Sequence, residues 1–182
     1  GSEMCIRDSL GGGENNGSFG SFNWGCTAGL GTISLYLGDK TPAADKSTIE
    51  KAITSAADEY IAQMNESGMG IPYKEATFTD GVNIGKDENG NLIEITGYEW
   101  GSNSFVVNNA IVMAYAYDIN GTNNYISAVT EAMDYIFGRN GNGFSYVTGY
   151  GTYHENNPHH RFWSHELDSA FPYAPSGVMS GG

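Results

Sequence analysis

The fold of this chain is decided by residues 100–138, WGSNSFVVNNAIVMAYAYDINGTNNYISAVTEAMDYIFG. Two runs of apolar side chains with helical spacing lie in this stretch, separated by Asn120-Gly121-Thr122. The first predicted helix opens at Trp100-Gly101-Ser102, and Gly138 ends the second. The stretch is therefore predicted to form an αα-hairpin with a short turn. The stripes comprise Phe105, Val106, Asn109, Ala110, Met113, Ala114 and Tyr117, followed by Tyr125, Ala128, Val129, Ala132, Met133 and Ile136.

A longer stripe upstream predicts another amphipathic helix. Ser47-Thr48-Ile49-Glu50 has the spacing of a capping box, in which Ser47 bonds the N–H of Glu50 and Glu50 reaches back. We therefore expect the helix to begin there and to stop at Gly68. The stripe comprises Ile49, Ala52, Ile53, Ala56, Ala57, Tyr60, Ile61 and Met64.

Two weaker elements complete the scaffold. Residues 27–37 are apolar, with Leu30, Ile33 and Leu37 at helical spacing and Tyr36 beside them, which predicts a short helix. Farther along, Asn89-Gly90 lies between short β-prone runs and indicates a small hairpin or a simple loop. The expected order is helix, helix, loop, helix, helix.

Residues 138–182 lack helical periodicity. A segment this long without secondary structure is usually either disordered or functional. Its many Tyr, Phe, Trp and His residues argue against disorder. We therefore expect an ordered loop that lies over the helical scaffold.

Composition excludes several classes of partner. The 182 residues suffice for one domain with a core, and no apolar run approaches the roughly 20 residues that span a bilayer. The net charge is −13, so we expect neither nucleic acid nor an anionic membrane surface as a partner. Twelve Tyr, eight Phe and three Trp beside 26 Gly suit stacking against a neutral sugar polymer, and equally suit an ordinary aromatic core.

The cysteines do not decide the cellular compartment. Residues 1–10 match neither a signal peptide nor a periodic element, so they are interpreted as a non-native leader, and residues 11–182 are taken as the domain. Because Cys5 falls in that leader, Cys26 remains alone and is predicted to be a buried core thiol.

Four histidines, His154, His159, His160 and His165, lie in the long loop and admit three interpretations. A metal site is disfavoured, because their spacing matches no zinc pattern. They could instead hold the loop together by hydrogen bonds, with the help of Arg161. The favoured interpretation is a sugar-binding site, because neutral imidazole offers both a donor and an acceptor to hydroxyl groups. The aromatic residues that could supply stacking faces are Trp163, Tyr150 and Phe162.

A family resemblance follows from these motifs. The run Ser145-Tyr146-Val147-Thr148-Gly149-Tyr150-Gly151, with Asn157-Pro158-His159-His160-Arg161 after it, resembles the histidine signature of glycoside hydrolase family 9, the endoglucanase family. Phe137-Gly138-Arg139-Asn140 precedes it as the family's Gly-Arg-Asn-Pro turn does. Trp100-Gly101-Ser102-Asn103-Ser104 resembles the family's tryptophan at a helix start, and Trp24-Gly25 an earlier one.

The resemblance also covers the end of the chain and includes two departures. Residues 164–168 and 174–182 follow in the family's manner. Asn140-Gly141 replaces the usual Asn-Pro, and Tyr153 stands where the signature has Asn, Lys or Arg. We expect a changed loop from these departures and no lost function.

The resemblance implies a fold and a reaction. The fold would be all-α, a sector of an (α/α)6 barrel with long ordered active-site loops. The reaction would be hydrolysis of β-1,4-glucan with inversion, which needs two carboxyl groups about 6.5–9.5 Å apart with a water between them. The family's base lies in an Asp-Ala-Gly-Asp motif upstream, and its acid is a Glu downstream of a Ser-Gly-Gly like that of residues 180–182. Neither occurs here, so we expect an interior fragment that is inactive alone.

The resemblance assigns roles to five residues. His159 would contact glucose hydroxyls at the catalytic centre, and Arg161 would hold the ring. Trp100 and Trp24 would be stacking platforms, with core burial as the alternative for each, and Tyr150 is a weaker candidate. The carboxylates within the chain, Glu155, Glu166, Asp168 and Glu99, are expected to serve structure or to be solvated rather than to act as acid or base.

Further expectations rest on the resemblance alone. The parent enzyme would be secreted and monomeric, and its partners would be β-1,4-glucan and cello-oligosaccharides. No cofactor is expected, although calcium could bind in loops of the full-length protein. Two alternatives remain: a non-catalytic carbohydrate-binding protein on the same scaffold, and an (α/α)6 enzyme that acts on a different glycan.

Overall fold

The computed structural model describes residues 22–23, 27–79, 85–98 and 100–181. Within these ranges the chain forms four helices and one two-stranded hairpin, in the predicted order. The elements are α1 (Ala28–Leu37), α2 (Ala43–Glu66), β1 (Ala76–Thr79), β2 (Glu94–Gly97), α3 (Ser102–Asn120) and α4 (Asn123–Ile136). None of the described helices is both long enough and apolar enough to cross a membrane.

The central helix is α3, which packs against both α2 and α4. Its predicted stripe is confirmed for five buried members, Phe105, Val106, Asn109, Ala110 and Met113. Burial extends further around the helix than the stripe, because two neighbours cover it. The additional buried residues are Asn103, Val112 and Ala116.

The predicted αα-hairpin is confirmed. Gly121 caps α3 in the left-handed conformation (φ 69°) and donates its N–H to the carbonyl of Tyr117. The Asn120 side chain accepts a hydrogen bond from the N–H of Thr122, and α4 begins at the next residue. Glycine is the usual residue at a positive φ after a helix, so Gly121 allowed the turn to be predicted from the sequence. The buried face of α4 comprises Tyr125, Ala128, Ala132 and Ile136.

The predicted start of α2 is wrong by more than one turn. The helix begins at Ala43 after an N-cap at Pro42, and the N–H of Lys46 already bonds the carbonyl of Pro42 at 3.0 Å. Ser47 therefore lies inside the helix, where it cannot act as a cap. Pro42 is the N-cap with a non-helical ψ of 145°, and the negative charge of Asp45 in the first turn suits the helix dipole. The predicted stripe is confirmed, with its buried members Ile49, Ile53, Ala56, Ala57, Tyr60 and Met64.

The helix predicted at residues 27–37 is confirmed as α1, but its predicted stripe is only partly correct. Ile33 is buried, whereas Leu30 and Leu37 are exposed. The buried face instead uses Gly29 and Thr32 next to Ile33. These residues are small, so α1 packs on α2 with a face that a scan for large apolar residues misses.

The hairpin interpretation of residues 75–96 is confirmed. Strands β1 and β2 pair antiparallel, from Ala76 with Gly97 to Thr79 with Glu94. The carboxylate of Asp87 accepts hydrogen bonds from the N–H groups of Asn89 and Asn91, which shape the turn. These bonds, with the Asn91 side-chain amide foremost, hold the pKa of Asp87 below its ordinary value. Gly90 adopts a positive φ of 84° within the turn.

Candidate sugar-binding loop

The loop at residues 138–181 starts with close connections to the end of α4. The N–H of Tyr146 donates to the carbonyl of Ile136, and that of Arg139 donates to Asp134. The Asn140 side chain donates to the carbonyls of Tyr135 and Phe144, both at 2.8 Å. These bonds fold the chain back against the end of α4. The Asn140-Gly141 turn therefore makes this connection in place of the family's usual Asn-Pro.

The middle of the loop is held by buried polar residues. Ser145 is buried, donates its N–H to Tyr153 and accepts from the N–H of Glu155. Thr148 is also buried; its hydroxyl donates to the carbonyl of Pro175 at 2.6 Å and accepts from the N–H of Val178 at 2.9 Å. The loop is therefore ordered by hydrogen bonds between segments about 10 and 30 residues apart, which confirms the predicted ordered loop.

The end of the loop meets the start of α3. Asn103 is buried. Its N–H donates to the carbonyl of Gly181 at 3.0 Å, and its side-chain amide donates to the carbonyl of Ser180 at 3.1 Å. Gly101, in the left-handed conformation (φ 84°), lies against Gly181. These contacts bring two regions that are 77 residues apart in sequence to one end of α3.

Trp100 lies at this junction and is 74% exposed. The alternative of core burial is therefore wrong for Trp100 in this structure. Its indole ring is free to contact a ligand, as a stacking platform requires. Trp24, Cys26 and Glu99 fall outside the described residues, so their predicted roles stay predictions.

His159 and Arg161 are both exposed, on either side of the exposed His160. The turn before them is shaped by Glu155, whose carboxylate accepts hydrogen bonds from the N–H groups of Asn156 (2.9 Å) and Asn157 (2.7 Å). Pro158 is buried next to His159. The backbone that precedes His159 is thus fixed by hydrogen bonds, while the side chains of His159 and Arg161 face solvent.

The other three histidines have structural partners. The Nδ1 of His160 accepts from the N–H groups of Phe162 and Trp163, and its ring stacks on that of Trp163 with centroids 4.2 Å apart. His165 donates its Nδ1–H to the carbonyl of Phe171 at 2.7 Å. The Nδ1 of His154 lies 3.2 Å from the N–H of Gly149 and 2.9 Å from the carbonyl of Glu155, and one tautomer satisfies only one of them.

The structural interpretation therefore applies to His154, His160 and His165, which bond the loop backbone. His159 is exposed, and its role in sugar binding stays a prediction. Among the described residues, no three His, Cys, Asp or Glu side chains converge on a point that could hold a metal ion.

The aromatic residues of the loop differ in how much surface they offer. Tyr150 is 54% exposed, and its ring is tilted against that of Phe137 at 6.2 Å. Phe162 is also exposed. Trp163 is half-buried and already stacked on His160, so it offers less surface to a ligand than predicted.

The predicted site residues are only partly brought together. Trp100 lies beside the end of the loop, and Tyr150 lies near Gly177. Within the described part of the chain, no hydrogen bond or ring contact joins His159 or Arg161 to Trp100 or Tyr150. All four side chains are nevertheless exposed, as a binding surface requires.

The loop carboxylates serve the backbone. Glu155 is occupied by the two N–H groups described above, and the carboxylate of Asp168 accepts from the N–H of Ala170 at 2.9 Å. Glu166 is exposed. The geometry of Glu155 and Asp168 matches the structural interpretation favoured from sequence.

A pair of tyrosines packs under the start of the loop. The rings of Tyr135 and Tyr146 are 5.8 Å apart, and the Asn142 amide donates to the Tyr146 hydroxyl at 3.0 Å. Burial, with smaller contributions from Tyr146 and Tyr98, raises the pKa of Tyr135 to about 12. The phenol of Tyr135 thus stays neutral well above neutral pH.

Sequence reasoning missed the residues that position the loop, namely Asn103, Ser145, Thr148 and Asn140. Asn103 falls between Trp100 and the first apolar residue of α3, where it is easily taken for a surface residue. Buried polar groups must be hydrogen-bonded, but sequence does not reveal which ones are buried. The family motifs carried the signal: Ser145 and Thr148 lie inside the histidine signature, Asn140 lies in the Gly-Arg-Asn turn, and Asn103 follows Trp100-Gly101-Ser102.

The helical scaffold, with an ordered loop across one helix end, has the architecture of a sector of a helical barrel. Comparison with known proteins identifies the family. The sequence model of glycosyl hydrolase family 9 matches residues 5–182. The chain belongs to glycosyl hydrolase family 9.

Characterised relatives and a solved structure agree with this assignment. The chain is 43% identical over 171 residues to the cellulose 1,4-beta-cellobiosidase of Acetivibrio thermocellus, covering 93% of this chain and 17% of the relative. It is 34% identical to endoglucanase C of Cellulomonas fimi, covering 88% of this chain and 13% of the relative. The crystal structure of the family 9 endoglucanase J30 superposes with a TM-score of 0.69 at 22% identity, covering 97% of this chain and 27% of that chain.

These comparisons confirm the predicted all-α sector of an (α/α)6 barrel. The chain spans less than a fifth of the length of either relative and about a quarter of the solved structure. That coverage agrees with the prediction of a partial catalytic domain.

Proposed function

We propose that the full-length protein is an inverting endo-β-1,4-glucanase, and that this chain forms one wall of its glucan-binding cleft. The observation that carries the proposal is the junction at α3, where Asn103 bonds Ser180 and Gly181 and Trp100 is left exposed. Family membership and the printed activities of the cellobiosidase and endoglucanase relatives support it.

The exposed side chains divide the work of binding. The flat indole of Trp100 suits the apolar face of a glucose ring. Arg161 offers five N–H donors in a fixed fork, which suits hydroxyl groups or a carboxylate of the rest of the enzyme. His159 offers one donor and one acceptor to hydroxyl groups near the scissile bond. The chain therefore binds the substrate. Its own loop carboxylates, Glu155 and Asp168, accept hydrogen bonds from backbone N–H groups.

The acid and the base would come from other parts of the full-length protein. The proposed reaction needs two carboxyl groups and a water between them, and calls for no cofactor beyond the calcium that loops of the full-length protein could hold. Secretion is part of the proposal, because an insoluble polymer must be cleaved outside the cell. On this proposal the 182-residue chain alone releases no reducing ends.

The test is activity of the full-length protein on carboxymethylcellulose, with the anomeric configuration of fresh products followed by proton NMR. Inversion should give α-anomers first. Arg161→Ala should lower kcat/KM by roughly 10- to 100-fold, as expected for loss of hydrogen bonds from a charged group. Trp100→Ala should mainly raise KM, and Glu88→Gln in the exposed hairpin turn serves as the control.

The opposite results are clear. Binding of cello-oligosaccharides without any hydrolysis by the full-length protein would favour a non-catalytic binding protein. Preferential cleavage of another glycan would favour the third alternative. Release of reducing ends by the 182-residue chain would contradict the assignment of acid and base to other parts of the protein.

A further inference from the structure

A pocket outside the loop lies between the end of α2 and the segment that leads into β1. Its volume is about 230 Å³. This is below the roughly 300 Å³ at which pockets for drug-sized ligands begin, so it suits one small ring. Its aromatic and polar lining includes Gln63, Glu66, Tyr73, Lys74, Glu75 and Tyr98.

The aromatic wall of this pocket is rigid on one side and open on the other. The ring of Tyr73 is stacked on buried Phe105 of α3, with centroids 4.7 Å apart. Tyr98 is tilted against Tyr73 at 5.7 Å and is 42% exposed. The core therefore holds Tyr73 in place, and Tyr98 keeps ring surface available for a ligand.

The polar wall suits a neutral ligand rich in hydroxyl groups. Glu66 and Glu75 accept hydrogen bonds, whereas Lys74 and the Gln63 amide donate them. Two negative charges face one positive charge, so phosphate or carboxylate ligands are disfavoured. A cation is disfavoured because the two carboxylates have no third acidic, histidine or cysteine ligand among the described residues.

The pocket lies close to Trp100 along the chain. Tyr98 precedes Trp100 by two residues, so their Cα atoms are separated by no more than about 7.6 Å, twice the spacing across a trans peptide. This separation is within the length of a short oligosaccharide.

We propose that this pocket is an additional subsite for one sugar unit of the glucan chain that Trp100 holds. The inference rests on the proposed function. Tyr98 would contact the face of the ring, and Glu66 would accept hydrogen bonds from its hydroxyl groups. The subsite would set how many sugar units a substrate needs for full affinity.

The experiment measures the affinity of the full-length protein for cello-oligosaccharides of increasing length by calorimetry. Affinity should rise by about tenfold at the one length that first reaches the pocket, as expected for hydrogen bonds to charged groups. Tyr98→Ala and Glu66→Gln should each remove most of that step and leave the shorter oligosaccharides unaffected. Glu59→Gln is the matched control, because Glu59 is exposed on the same helix and does not line the pocket.

The outcomes separate the two levels of the proposal. Failure of the unaltered protein to bind any length would contradict the proposed function itself. Binding without a length step, or a step that survives in both variants, overturns the subsite alone. A uniform loss at every length also overturns it, since Tyr98 would then only support Trp100. If Tyr98→Ala lowers thermal stability, the isosteric Glu66→Gln decides.

Discussion

The α3–α4 hairpin and the loop that follows it are stabilised in different ways. In the hairpin, the side chains of Met113, Ala116, Ala132 and Ile136 are fully buried, and apolar packing holds the element. In the loop, hydrogen bonds through Ser145 and Thr148 hold the backbone. Large aromatic residues of the loop remain exposed: Tyr150, Tyr153, Phe162, Phe171 and Tyr173.

This difference explains how the protein can display aromatic side chains on an ordered surface. A loop that depended on apolar burial for its order would have to hide its aromatic residues in the core. Here the order comes from polar groups that need partners, so the aromatic rings can keep part of their surface exposed. The comparison predicts that core substitutions affect the whole chain and loop substitutions act locally.

The largest effect is expected from Ile53→Ala in α2. Ile53 is fully buried, and loss of its side chain should cost about 2–5 kcal/mol through lost burial and a cavity. Ile126→Ala, on the 40% exposed position of α4, should cost well under half as much. Urea denaturation measures both, and similar values for the two variants would contradict the assignment of the core.

A smaller and more local effect is expected from Asn103→Ala. The variant loses the amide donor to Ser180 and leaves that partly buried carbonyl without this partner, which should cost about 1–3 kcal/mol. Hydrogen exchange should increase at residues 176–181 while α2 and α4 stay protected. Asn108→Ala is the control on the same helix, because its amide bonds Phe22 instead. Equal loss of protection across all helices would show that the loop and the scaffold unfold together.

Gly149→Ala tests the close packing inside the loop. Gly149 has a φ of 74°, and a Cβ there would collide with the side chain of Ser176. We expect a loss of about 2–3 kcal/mol, the sum of backbone strain of about 1–2 kcal/mol and the collision. Gly143→Ala has the strain alone, since its φ is 58° and no atom lies within 4 Å of the added Cβ. Equal thermal stability of the two variants would mean that Ser176 moves away without cost.

The smallest effect concerns pH and the tyrosine pair under the loop. The pKa of Tyr135 is raised from 10.0 to about 12, so the folded state favours the neutral phenol. Its contribution to stability is complete below pH 10 and is lost as the pH rises towards about 12. Tyr135→Phe should remove this loss from the pH dependence of the free energy of unfolding. A titration of the phenol at its ordinary pKa in the folded protein would contradict the burial described for it.

Sequence was a good guide to elements with local periodicity and a poorer guide to their edges. The stripes of α2, α3 and α4 and the Gly121 turn were predicted, because every residue needed for them is nearby in the chain. The start of α2 was misplaced, since Pro42 initiates the helix before the apparent cap at Ser47. The buried face of α1 was misjudged, because Gly29 and Thr32 gain their meaning only from packing on α2.

By itself, the sequence determined the four helices, the ordered character of the long loop, and the motifs that mark glycosyl hydrolase family 9. Only the tertiary structure decided which of the four histidines bond the loop backbone, and that Asn103 meets Ser180 across 77 residues. Periodicity is a local property of the chain. A hydrogen bond between distant segments depends on which polar groups the packed helices leave buried, and that is set by the fold as a whole.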